Sequence, residues 1–173
     1  MFSSTIPNVD KYFDVLYQLL VCNNMITEPE YLIPFVKIRT KNGQIIAWEI
    51  DSKNVTFSTN DCLKCEERAV RNNNVYEIKR HSYHFNPSEE SDLYKFRIDL
   101  ERSGELHLNP DPKLEGNLGH RMPPSSLSFS IENFNSFLAI HLVLLYLQEA
   151  VYPGSNDDTA YETKLNNLRR CLE

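Results

Sequence analysis

Apolar residues recur at helical spacing in the first and last parts of the chain. Between residues 8 and 24 they lie three or four positions apart, which predicts an amphipathic helix (Val9, Tyr12, Phe13, Leu16, Leu19 and Leu20). Ser130 is suited to cap a second, strongly apolar helix that runs to about Val151. Asp157 is suited to cap a further helix, whose apolar residues are Tyr161, Leu165, Leu168 and Leu172. One long helix is therefore expected before the middle of the chain, and two helices after it.

The middle of the chain alternates between apolar and polar residues or runs apolar over short segments, which predicts strands. The predicted strands are residues 31–40, beginning near Phe35, and residues 44–50, 75–85, 93–101 and 105–109. Short turns join several of them, and a short helix is expected within residues 60–74. Hairpin-linked strands with separate helices predict an α+β fold. We expect a single domain over residues 1–173, with an antiparallel sheet of about five strands packed on one face by the long N-terminal and C-terminal helices.

Composition and charge narrow the classes of function. The chain has 173 residues and a net charge of −6, which argues against non-specific coating of nucleic acid but allows a local basic site or a basic partner. No apolar run approaches the ~20 residues of a membrane-spanning helix, and no signal-peptide pattern is present. We therefore expect a cytoplasmic protein without membrane association.

Cys62 and Cys65 form a CxxC motif. Structural zinc usually needs four ligands, and no second CxxC pair or HxxxH motif accompanies this one. Reduced structural thiols are the favoured interpretation, with a redox pair or a metal site left open. On a strand His81 and His84 would point to opposite faces, so they cannot share one ion without a bulge. We predict no metal site and no cofactor.

Polar residues converge where the last predicted strands pair. A three-residue turn at 102–104 sets Asp99 opposite His107 and Arg97 opposite Asn109, and keeps the other face apolar. If Phe85 pairs with Leu93 in the preceding hairpin, one face carries two polar rows. These rows are His81–Arg97–Asn109 and Lys79–Asp99–His107. The same register places Arg80, Ser82 and His84 on the apolar face, where they fit poorly.

Such a cluster suits phosphodiester chemistry. His81 and His107 would exchange protons, Asp99 would orient His107, and cations would stabilise the developing phosphate charge. Arg97 and Lys79 would hold the phosphate. The remaining candidate residues for substrate binding are Asn109, His120 and Arg121, the last two from the long segment 110–128. The alternative is an ordinary solvated sheet face, on which alternating charged residues are common.

Part of the chain resembles the TumE-type toxin family of toxin–antitoxin systems. The resemblance rests on His81-Ser82-Tyr83-His84-Phe85, Phe96-Arg97-Ile98-Asp99, Leu106-His107-Leu108-Asn109 and His120-Arg121-Met122-Pro123. It covers about a third of the chain, and Leu100 stands where the family usually has an asparagine. The resemblance implies a small cytosolic toxin or defence component encoded beside an inhibitor, with functional positions at Arg97, Asp99, His107 and His120.

We therefore expect a component of a toxin–antitoxin or antiviral defence system that acts on RNA without a metal ion. Its expected partners are RNA and a cognate inhibitor or larger protein complex, and we expect a homodimer or heteromer. The alternative is a non-catalytic accessory or inhibitor subunit that binds a protein partner.

Overall fold

A seven-stranded antiparallel sheet forms the centre of the molecule. The computed structural model describes residues 4–22, 25, 36–155 and 160–173, without the side chains of residues 52–54. The strands are β1 (Ser4–Ile6), β2 (Val36–Lys41), β3 (Gln44–Thr56), β4 (Cys62–Asn72), β5 (Val75–Asn86), β6 (Phe96–Leu100) and β7 (Leu106–Pro110). Strands β2 to β7 are neighbours in chain order, and β1 pairs with the first half of β5. Both β1 and β6 therefore lie along the same edge of β5.

The helices are α1 (Val9–Cys22), α2 (Glu115–Leu118), α3 (Ser136–Glu149) and α4 (Ala160–Arg170), with short 3₁₀ turns at Pro112–Leu114 and Pro124–Ser126. The long helices α1, α3 and α4 cover one face of the sheet, whereas the one-turn α2 lies beside a cleft that also contains His84 and Arg97. Tyr12 of α1 packs against Trp48, and Tyr146 of α3 packs against Phe85 and Phe96. One buried apolar cluster joins these helices to the sheet. The predicted α+β class, with the sheet packed on one face by helices, is confirmed.

Several predicted elements need correction. The sheet has seven strands rather than about five, and residues 60–74 contain strand β4 rather than a short helix. Leu63, Cys65 and Ala69 alternate inward along β4, but the glutamate at the inward position 67 obscures this pattern in the sequence. Helix α3 begins at Ser136, because the side chain of Asn135 rather than that of Ser130 caps it. Residues 31–35 and Asp157 lie outside the described residues.

The register of β6 and β7 is the predicted one: Asp99 pairs with His107, and Arg97 with Asn109. The register of β5 and β6 differs from the prediction, since Phe85 pairs with Phe96 instead of Leu93. A β-bulge between β4 and β5 falls where Ala69 pairs with Ile78 but Arg68 pairs with Arg80. The extra residue changes the alternation of β5. As a result, Ser82 and His84 lie on the face away from the helices, and His81 turns inward.

We call the face away from the helices the open face; on β5, β6 and β7 it presents Ser82, His84, Arg97, Asp99, His107 and Asn109. Within the ranges described above, no helix is both long enough and apolar enough to cross a membrane.

Candidate functional site

Two rows of polar side chains cross the open face. Their members are His84–Arg97–Asn109 and Ser82–Asp99–His107. The predicted rows had His81 and Lys79 at the places that His84 and Ser82 occupy. Residues opposite each other in an antiparallel pair have their Cβ atoms ~5 Å apart, so each row is a set of neighbours.

Asp99 is the centre of this cluster. Its Oδ1 atom accepts a hydrogen bond of 2.6 Å from the Ser82 hydroxyl. Its Oδ2 atom accepts one of 2.5 Å from Nε of Arg97 and one of 2.8 Å from Nδ2 of Asn109. Asp99 is buried, whereas the Arg97 side chain is 45% exposed. The carboxylate thus fixes the orientation of Arg97 while the outer part of its guanidinium faces solvent, an arrangement suited to binding an anion.

His107 is placed beside Asp99 but beneath the surface. Its Nε2 atom lies 3.7 Å from Oδ2 of Asp99 and 3.9 Å from Oε1 of Glu101, and neither ring nitrogen has a hydrogen-bond partner in the described structure. Burial, together with the nearby guanidinium of Arg121, lowers the pKa of His107, so the ring is neutral at pH 7. Only 2% of the residue is exposed. His107 therefore belongs to the cluster without reaching its surface.

Arg121 closes the outer edge of the cluster. It donates to Glu101 at 2.6 Å and to Glu105 at 3.1 Å. The next residue, Met122, exchanges backbone hydrogen bonds of 2.9 and 2.8 Å with Leu108 of β7. His120 is exposed and lies 2.9 Å from Glu115. The segment that carries Arg121 thus lies along the β7 edge, and the charge of Arg121 is balanced by the two glutamates.

His84 is the accessible histidine of the open face, and neither it nor Ser82 was among the residues predicted for the site. It is half-buried, it lies opposite Arg97 on one side and Lys64 on the other, and it lines two adjoining clefts. Burial and the charge of Arg97 lower the pKa of His84, so the ring is neutral at pH 7 and able to accept a proton. The inward alternation of Tyr83 and Phe85 is the sequence signal that places His84 outward.

Two predicted residues do not join the Asp99 cluster. His81 is buried on the helix-covered face, opposite Glu67, and stacks on Tyr83 with ring centroids 4.7 Å apart. Burial lowers the pKa of His81 to about 3, which removes it as a proton donor near neutral pH. Lys79 is exposed at the bulge and forms an ion pair with Glu77. The predicted exchange of protons between His81 and His107 is therefore wrong for this arrangement.

The two adjoining clefts that border the cluster share His84 and Arg97. The larger has a volume of about 630 Å³ and also contains Ser82 and Asp99. The smaller, of about 500 Å³, adds Lys95, Asn109, His120 and Arg121. The two clefts thus contain Arg97, Asp99, Asn109, His120 and Arg121 of the predicted residues, together with His84 and Ser82.

The two cysteines of the CxxC motif are separated by the sheet. Cys62 pairs with Asn86 on the open face, whereas Cys65 pairs with Tyr83 on the helix-covered face. Both are free thiols, and burial raises the pKa of Cys65. Among the residues that the structure describes, no group of three or more histidine, cysteine or acidic side chains is arranged to hold a metal ion.

Compared with known proteins, the chain matches no family model, no curated protein and no solved structure. The geometry of the open face is therefore the basis for assigning a function.

Proposed function

We propose that the protein is a ribonuclease that cleaves RNA on the open face without a metal ion. The observation that carries this proposal is the row His84–Arg97–Asn109, in which a neutral histidine adjoins an arginine fixed by Asp99 at the junction of two open clefts. A base beside an oriented cation is what phosphodiester cleavage by an internal nucleophile requires.

The proposed step uses the 2′-hydroxyl of the RNA as the nucleophile. His84 accepts the hydroxyl proton as the 2′ oxygen forms a bond to phosphorus. The bond from phosphorus to the 5′ oxygen breaks, and that oxygen takes a proton from water. The products are a 2′,3′-cyclic phosphate and a 5′-hydroxyl end. Arg97 holds the non-bridging oxygens as their negative charge grows, and Asp99 keeps Arg97 in place.

The proposal extends to the biological role, a toxin or defence component restrained by an inhibitor protein. Its support is the resemblance described above, together with the proximity of Arg97, Asp99 and His107. In this role His107 is a positioning residue, because it packs beside Asp99 and is almost fully buried. His120 would contact substrate from the edge of the smaller cleft.

The test is incubation of purified protein with total RNA in the presence of EDTA. We expect cleavage by the unchanged protein and a loss of about 100-fold or more in His84→Gln and in Arg97→Gln, since removal of a proton acceptor or a charge-stabilising donor has effects of this size. Lys37→Gln, at an exposed residue of β2, is the matched control and should leave the rate unchanged. Equal rates in all four proteins would contradict the proposal.

A second candidate is the non-catalytic subunit that binds a protein partner. It is favoured by Ile38 and Ile46, which are 46% and 37% exposed on the β2–β3 hairpin. Contiguous exposed apolar patches mark contact surfaces, and this hairpin carries two exposed apolar side chains. Absence of cleavage by the unchanged protein, with normal folding, would favour this candidate.

A further inference from the structure

The bulge in β5 brings two arginines directly opposite each other. Arg68 of β4 and Arg80 of β5 are paired residues on the open face, and both are exposed. Like charges at directly opposite positions are unfavourable. Within the described part of the chain, no carboxylate lies within ion-pair distance of either guanidinium. Glu49 of β3 is the residue opposite Arg68 in the strand pairing, but the two side chains form no ion pair. A bound anion would relieve this repulsion.

Arg80 and a third arginine, Arg102, border two clefts at once. One cleft, of about 440 Å³, contains Arg68, Arg80 and Arg102, and its other charged residues are Lys79, Glu49, Asp51, Glu66 and Glu67. The other is the cleft of about 630 Å³ that contains His84 and Arg97. Because neighbouring clefts share lining residues, a groove continues from the smaller cleft at Asn109, past Arg97, to Arg68. A groove that joins three clefts suits a polymer with several phosphates rather than a single nucleotide.

We propose that Arg68, Arg80 and Arg102 form a second nucleotide-binding region, the arginine subsite, for the backbone of an RNA strand. This inference rests on the proposed function and deepens it. The arginines bind backbone phosphates on one side of the cleaved bond, where the cleft that they line adjoins the cleft of His84 and Arg97.

The test compares the binding of short and long RNA analogues that cannot be cleaved. Oligonucleotides with 2′-fluoro sugars lack the nucleophile, and a dimer has one phosphodiester whereas a hexamer has five. We expect the hexamer to bind the unchanged protein at least tenfold more tightly than the dimer. In the triple variant Arg68→Ala, Arg80→Ala, Arg102→Ala this advantage disappears, while the dimer affinity stays within twofold. The slope of the logarithm of the hexamer binding constant against the logarithm of the salt concentration becomes shallower by about 2 in this variant, because each lost phosphate contact removes ~0.7 from the slope.

Matched variants separate the effect of these arginines from that of overall charge. The control triple variant is Lys37→Ala, Arg39→Ala, Lys41→Ala, which removes the same charge from exposed residues of β2 that line none of these three clefts. It should keep the hexamer advantage. Thermal unfolding checks that both triple variants are folded.

The outcomes are distinguishable. Retention of the hexamer advantage in the arginine triple variant would overturn the arginine subsite, as would equal dimer and hexamer affinity for the unchanged protein while EDTA-resistant cleavage persists. Loss of the advantage in both triple variants would also overturn it, because general charge rather than these arginines would then govern binding. Failure of the unchanged protein to cleave RNA would instead count against the proposed function.

Discussion

The carboxylate of Glu67 shows how one residue connects the helices to the sheet. It accepts hydrogen bonds from the hydroxyls of Tyr12 and Tyr83, the indole of Trp48, and both the backbone N–H and hydroxyl of Ser136, all at 2.8–3.0 Å. These donors come from α1, β5, β3 and the first residue of α3. Burial and the charge of Glu67 raise the pKa of Tyr12 and Tyr83 well above their usual values, so both remain donors.

Glu67→Gln should destabilise the protein strongly. The amide would turn a donor toward groups that are themselves donors and leave buried hydrogen bonds unmade, at a cost of about 3–5 kcal/mol by analogy with broken buried ion pairs. Glu66→Gln, on the open face beside Lys64, is the control and should cost about 0.5 kcal/mol or less. Urea unfolding measures both. A loss below about 1 kcal/mol in Glu67→Gln would show that the network contributes little to stability.

Buried histidines give the protein a defined sensitivity to acid. Burial lowers the pKa of His81 to about 3 and that of His141 to about 4, whereas the unfolded chain binds the proton near pH 6.5. Between about pH 6 and pH 4 the unfolded state therefore holds more protons, and stability falls as the pH falls, by ~1.4 kcal/mol per pH unit for each such histidine.

His81→Gln should reduce this slope by the contribution of one histidine. The measurement is the free energy of unfolding at several pH values from about 7 to about 4, and the quantity compared is its slope rather than its absolute value. A slope in His81→Gln equal to that of the unchanged protein would show that His81 is not buried as a neutral ring.

At the scale of elements, the alternation of β5 changes partway along the strand. Tyr76 and Ile78 point inward and lie two positions apart, as do the inward residues Tyr83 and Phe85. Tyr83, however, follows Ile78 by five positions, which is an odd number. A regular strand cannot place all four on one face, so the sequence itself contains the evidence for a bulge between them. Reading residues 75–85 as a regular strand led to the wrong partners for Arg97 and Asp99, with His81 and Lys79 in place of His84 and Ser82.

Deletion of Lys79 should leave the protein folded, as should Lys79→Ala. Without the extra residue, a regular strand places Tyr76, Ile78, Tyr83 and Phe85 on one face, so all four stay in the core. Lys79→Ala removes only an exposed side chain and its ion pair with Glu77, a change of about 1 kcal/mol or less. Circular dichroism during thermal unfolding compares the two variants. A deletion variant that fails to unfold cooperatively would contradict the role given to the bulge.

Across the whole molecule, local patterns in the sequence were more informative than distant contacts. The pairing of Asp99 with His107 follows from a short turn and a uniform apolar face, so it could be predicted. Nothing local indicates that Ser4 pairs with Ile78, or that Glu67 meets Ser136, because these contacts join parts of the chain far apart in sequence. The inward position of Glu67 also hid the alternation of β4, and the donors that make this burial tolerable come from other elements.

The central claim is that His84 and Arg97 cleave RNA through its own 2′-hydroxyl. The most direct measurement uses an oligonucleotide of 2′-deoxy residues with a single ribonucleotide, incubated in EDTA with the unchanged protein, His84→Gln and Arg97→Gln. We predict a single cut after the ribonucleotide, with a 2′,3′-cyclic phosphate end, made by the unchanged protein and reduced about 100-fold or more in both variants. Cleavage at 2′-deoxy positions, equal cleavage by the variants, or an intact oligonucleotide would contradict it.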